Sequence, residues 1–146
     1  IRAMREEWTR QWDWWAAACI DTNILIYHLA GALTDQAEAT LISALEYGSY
    51  ISVITRIELL GWRKHSPESL NSTAALLQSV SEIPLNEDII RQCICFRQKF
   101  PIKLPDAIIA ATALYAKLPL MTRDIADFER IPELRTVNPF ISIKDE

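Results

Sequence analysis

The chain is short of glycine, has no paired cysteines, carries no excess of positive charge and contains no long apolar run, and each shortage removes a class of function. Three glycines in 146 residues leave no G-x-x-x-x-G-K or G-x-G-x-x-G pattern, so a glycine-rich phosphate loop is excluded. The cysteines Cys19, Cys93 and Cys95 are odd in number and form no C-x-x-C pair, which suggests neither a disulfide framework nor a zinc site. A reducing, cytoplasmic location is expected. The net charge of −4 provides no global basic field for nucleic acid, so such contact would need a local basic patch or a bound cation. No stretch is long enough to span a membrane.

What is present is core material. Half the residues are hydrophobic and 23% are charged, a balance that suits one globular domain. The first fifteen residues, "IRAMREEWTRQWDWW", hold four of the five tryptophans mixed with charges. They read as a Trp-rich N-terminal extension (1–15), with a single domain over 16–146. Asp13 and Asp21 interrupt any signal-peptide core.

Short apolar strands alternate with helices along the chain. Ala16 to Ile20 reads as a buried strand, followed by a helix from about Asn23 that stops at Gly31. Thr34 caps "DQAEATLISALEY", whose Ala37, Leu41, Ala44 and Leu45 recur at helical spacing, and Gly48 ends it. "YISVI" is β-branched and reads as a second strand, with Thr55 capping a helix over "RIELLGWRKH". Ser66-Pro67-Glu68 starts another helix, "SEIPL" is a weak strand, and Asn86 caps a helix that presents Ile89, Ile90, Ile94 and Phe96 and ends at Pro101. Leu104-Pro105-Asp106 opens an almost wholly apolar, hence buried, helix. "PLMT" is a short strand and "VNPFIS" a last edge strand. The alternation predicts an α/β sandwich with a parallel sheet.

In such sheets ligands bind at the carboxyl ends of the strands, and four acids stand where they can reach that edge. Asp21 follows the first strand, Glu58 comes one turn after Thr55, Asp106 lies in the first turn of the buried helix, and Asp124 follows "PLMT". Singly, each has a structural explanation. Asp21 and Asp124 suit turns or N-caps, Asp106 suits a helix N-terminus, and Glu58 suits a solvated face. Together they are harder to dismiss, because carboxylates sharing one edge raise each other's pKa. A hard divalent cation relieves that repulsion, and Mg²⁺ or Mn²⁺ prefers oxygen ligands.

Four segments in order, "IDTNILIYHL", "ISVITRIELL", "LPDAIIAATAL" and "LMTRDIADF", resemble the PIN-domain family, and within it the VapC-type toxins of bacterial toxin–antitoxin pairs. The resemblance covers about residues 16–140. It implies a PIN-like α/β/α sandwich with a central, mostly parallel sheet, and an endoribonuclease dependent on Mg²⁺ or Mn²⁺. It implies metal-binding acids at Asp21, Glu58, Asp106 and, less uniformly, Asp124, supported through hydrogen bonds by Asn23 and Thr122. Asp127 is a contributor or substitute for Asp124. An RNA substrate, an antitoxin protein and a homodimer are the implied partners. His28 and His65, placed along helices away from the acids, are not expected to act as general acids. Lys99, Lys103, Arg56, Arg63, Lys64 and Arg123 are candidates for a local basic rim, although each singly reads as a solvated residue.

Two other classes compete. A haloacid-dehalogenase-like phosphatase also places Asp after its first strand, but it requires a second Asp two residues on, where this chain has Asn23. A PIN-like binding or scaffold module with purely structural acids is the non-enzymatic alternative.

Overall fold

The computed structural model describes residues 17–141; the Trp-rich segment 1–15 lies outside the described residues. Five strands form one sheet in the order β3-β2-β1-β4-β5, and every pairing is parallel. They are β1 (Cys19–Ile20), β2 (Tyr50–Ser52), β3 (Ser81–Ile83), β4 (Leu120–Met121) and β5 (Thr136–Val137). The helices between them are α1 (Thr22–Leu29), α2 (Asp35–Tyr47), α3 (Val53–Leu60), α4 (Pro67–Leu77), α5 (Glu87–Lys99), α6 (Leu104–Ala116) and the single turn α7 (Ile125–Phe128). The expected α/β/α sandwich with a parallel sheet is what the chain forms.

Parallel strands buried on both faces need apolar residues at successive positions, and neighbouring side chains then enter different layers. Cys19 and Leu120 join a core with Ile89, Cys93 and Phe96 of α5 and Ile109 and Ala110 of α6. Ala18, Ile20 and Met121 join a second core with Ile24 and Leu25 of α1, Leu41 of α2 and Leu59 of α3. The two cores are the two sides of the sandwich.

Local signals set most helix ends. Thr34 accepts a hydrogen bond from the Ala37 N–H, and Gly48 closes α2 with φ +100°, a left-handed conformation that suits glycine. Ser66 and Ser69 form a reciprocal capping box before α4, with Pro67 in its first turn. Asn86 caps α5 through the Ile89 N–H.

Four expectations are corrected. Helix α3 begins at Val53, inside the stretch read as strand, because Ser52 rather than Thr55 accepts the first free N–H, from Ile54. Thr55 is a fully buried residue of the helix. The same helix ends at Leu60, so His65 sits beyond it, with its ring nitrogens bonded to Ser69 Oγ and the Leu59 carbonyl. The last strand stops at Val137, where Asn138 Oδ1 accepts from the Phe140 N–H and turns the chain. On α5, Ile90 and Ile94 are exposed, whereas Ile89, Cys93 and Phe96 face the core.

Candidate active site

The strand order creates the site. From β1 the chain moves outward to β2 and β3, then returns to the other side of β1 for β4 and β5. The carboxyl ends of β1 and β4 therefore flank the switch point, where a crevice opens in such sheets. Asp21 follows β1 and is held beside β4 by its N–H bond to the Met121 carbonyl, 2.9 Å. Its side chain is buried, and Oδ2 accepts from the Thr122 hydroxyl at 2.7 Å. The same hydroxyl oxygen accepts from the Asp124 N–H at 3.0 Å. Asp124 Oδ2 in turn accepts from Asn23 Nδ2 at 2.7 Å. A closed network thus joins the turn after β1 to the turn after β4.

Asp21 and Asp124 both occupy N-cap positions, yet neither side chain caps its helix. Their carboxylates are accordingly not consumed by local structure. Glu58 is reached from the other side. The Thr22 hydroxyl donates to Glu58 Oε1 at 2.7 Å and lies 3.0 Å from the Thr55 hydroxyl. One hydroxyl carries one proton, so the Thr55 hydroxyl supplies the donor in the second contact. Asp106, in the first turn of α6, is half-buried.

Electrostatics links these acids. Burial pushes the Asp21 carboxyl up from an ordinary 3.8 to about 6; the Thr122 hydrogen bond opposes this, while the charges of Asp106 and Asp124 add to it. Asp106 is also raised, by burial first, then by Asp127 and Glu58, with Lys103 offsetting part and Asp124 adding to it. Like charges that disfavour each other's ionised form share one region of low polarisability. The charges thus act on one another in two sets: Asp106 and Asp124 on Asp21, and Asp127, Glu58 and Asp124 on Asp106.

The donor set is oxygen throughout, which fits a hard divalent cation. The Asn23 Oδ1 atom is buried without a hydrogen-bond partner, which adds one more unused oxygen among these groups. Among the described residues no three acidic, histidine or cysteine side chains are gathered into a ready-made cluster.

The expected basic rim is redistributed. Arg56 pairs with Glu82, and Arg123 lies over the rings of Tyr27 and Phe140. Lys103 lines a cavity of about 200 Å³ beside Asp106 and Asp127, together with Arg130. Arg130 escaped the sequence reading because it stands outside the motifs, in a segment with no periodic signal. The support that Thr22 gives Glu58 also escaped it, since only the fold brings α1 against α3. His28 is paired with Glu38, away from the acids.

The PIN domain model matches residues 18–134. The chain belongs to the PIN domain family. Among solved structures, this PIN domain is similar to a chain of a toxin–antitoxin complex from Klebsiella pneumoniae, with 33% identity and a TM-score of 0.70 over 86% of this chain and 100% of that one. It is similar to a chain of VapBC-1 from nontypeable Haemophilus influenzae, with 26% identity and a TM-score of 0.71 over 86% and 99% of the two chains. A chain of FitAcB from Neisseria gonorrhoeae, 23% identical with a TM-score of 0.69 over 86% and 99%, shares the fold. A search among curated proteins found no match. These neighbours bear out the resemblance to VapC-type PIN domains.

Proposed function

We propose that this PIN domain is a metal-dependent endoribonuclease that hydrolyses RNA phosphodiesters, and the toxin of a toxin–antitoxin pair. The observation that carries the reading is the hydrogen-bond network at the β1/β4 switch point that holds the Asp21 and Asp124 carboxylates together, with neither spent on capping its helix. A buried like-charged group of this kind is unfavourable unless a cation offsets it.

In this reading Asp21, Asp106 and Asp124 hold Mg²⁺ or Mn²⁺, and Glu58 engages it through water. When bound, the ion supplies positive charge for an anionic phosphodiester and makes a water a better nucleophile at neutral pH. Thr122 holds the Asp21 carboxylate in one orientation, and Asn23 does the same for Asp124. Glu58, steadied by Thr22, orients the attacking water. Asp127 modulates Asp106 by its charge and is the reserve fourth acid.

An antitoxin partner is supported by the complexes in which the solved neighbours occur, and by an apolar groove of about 680 Å³ lined by Ile26, Leu29, Leu59 and Trp62 with Glu58 at its margin. Ile26, Leu29 and Trp62 are exposed there, a surface suited to being covered. A homodimer belongs to the same reading. No described helix is long and apolar enough to cross a membrane, and a cytoplasmic site of action is part of the proposal.

The test is cleavage of single-stranded or structured RNA by purified protein with Mn²⁺ or Mg²⁺, abolished by EDTA. Replacing Asp106 with Asn keeps its shape and removes a charge, and the rate should fall at least ~100-fold, the scale of losing one key electrostatic group. Metal-dependent cleavage that survives in folded Asp106→Asn protein would overturn the site. Absence of cleavage by the wild-type protein would favour the non-catalytic binding module.

A further inference from the structure

The cavity beside Asp106 has a composition that the acid site does not explain. Phe100, Pro101 and Ile102 form one wall, Ala126 contributes to the other, and Lys103 and Arg130 bring two cations to a space of about 200 Å³ that also contains Asp106 and Asp127. Four other arginines are engaged. Arg56 binds Glu82, Arg91 binds Glu87, Arg97 donates to the Ile102 carbonyl, and Arg123 stacks on two rings. Among the described residues neither Lys103 nor Arg130 lies within ion-pair distance of a carboxylate. A guanidinium and an ammonium that line one small cavity without a salt bridge are suited to an external anion, and the guanidinium presents a planar fork that matches phosphate oxygens.

We infer that this cavity is a phosphate subsite, in which Arg130 and Lys103 hold the RNA backbone phosphate next to the scissile one while the Phe100–Ile102 wall contacts the adjoining ribose. This rests on the endoribonuclease reading. Asp106 lines the cavity and its charge is felt by Asp21, so a phosphate held here would lie next to the acid site. The two cations also resolve the conflict between an acidic protein and a polyanionic substrate. They act locally, within a Debye length of about 8 Å at physiological salt, where a net charge of −4 is screened.

The test is equilibrium binding of a short fluorescein-labelled single-stranded RNA to the full chain in Mg²⁺, in an Asp21→Asn parent that keeps the probe intact. Arg130→Ala and Lys103→Ala should each weaken binding roughly five- to tenfold, as expected for one charge-assisted contact. Each should make the slope of log K against log salt shallower by about 0.7, the value for one phosphate contact on a single strand. Arg130→Lys should retain the slope while losing part of the affinity. Arg91→Ala, which removes an exposed cation paired with Glu87 on α5, is the control and should change neither. Alanine variants that bind like Arg91→Ala, or a parent that does not bind RNA, would overturn the inference. The nuclease reading is judged separately, by cleavage with the wild-type protein, so the two can fail independently.

Discussion

Thr122 donates its hydroxyl proton to Asp21 Oδ2 at 2.7 Å across 101 residues of sequence. The bond ties the end of β4 to the end of β1 and steadies a carboxylate that burial would otherwise leave poorly solvated. Thr122→Val keeps the volume and removes the donor. We expect a loss of about 1–3 kcal/mol at neutral pH, the cost of an unsatisfied buried acceptor, and a further rise in the Asp21 pKa. Urea denaturation at pH 7 and pH 5 checks this. The loss should be smaller at pH 5, where Asp21 is largely protonated and needs no donor to solvate a charge. Equal losses at both values would contradict the assignment.

The Asp21 pKa also sets a pH dependence of the metal-free protein. Its folded value, about 6, lies above the ordinary 3.8, so between these values the folded state binds more protons than the unfolded one. The contribution is fully present below about 3.8, is lost as pH rises through about 6, and amounts to something on the order of 2–3 kcal/mol. In EDTA, stability should therefore decline from about pH 4 to about pH 6, and Asp21→Asn should flatten that decline. A variant with the same slope as wild type would place the titrating group elsewhere.

Divalent metal should reverse this penalty. A ligand that binds only the folded state stabilises it by about 2.7 kcal/mol at a hundredfold excess over Kd. Differential scanning fluorimetry should show a higher Tm with Mn²⁺ for wild type, little shift for Asp106→Asn, and a shift near wild type for Asp127→Asn if Asp124 is the fourth ligand. A large shift that persists in Asp106→Asn would point to metal bound outside this site.

Arg123 orders the loop that carries Asp124. Its guanidinium lies 5.2 Å from the centroid of the Tyr27 ring and 4.2 Å from that of Phe140, and those two rings meet edge to face at 5.6 Å. Arg123→Ala should cost about 0.5–1 kcal/mol of stability, as for an exposed cation–π contact. It should also reduce the Mn²⁺-induced Tm shift, because Asp124 is the next residue. Arg123→Lys should recover part of both. A normal metal response in the alanine variant would mean that the Asn23 hydrogen bond alone positions Asp124.

By itself the sequence determined the features that depend on a few neighbouring residues. The caps at Thr34, Ser66 and Asn86 and the left-handed Gly48 follow from side-chain and backbone chemistry within one turn. The alternation of short apolar strands with helices specified the fold class, and the ordered motifs marked the acids. Tertiary structure decided what depends on chain path. The start of α3 moved to Val53 because packing and the Ser52 cap outweighed the strand preference of β-branched residues. Thr22 and Glu58 meet only because α1 crosses α3, and Asp21 and Thr122 only because β4 inserts beside β1. Whether a cation is free is likewise a matter of neighbours. Arg56 and Arg123 were absorbed by Glu82 and by two rings, leaving Lys103 and Arg130 at the cavity. Charge acts over a few ångströms of space, and only the fold converts distance along the chain into distance in space.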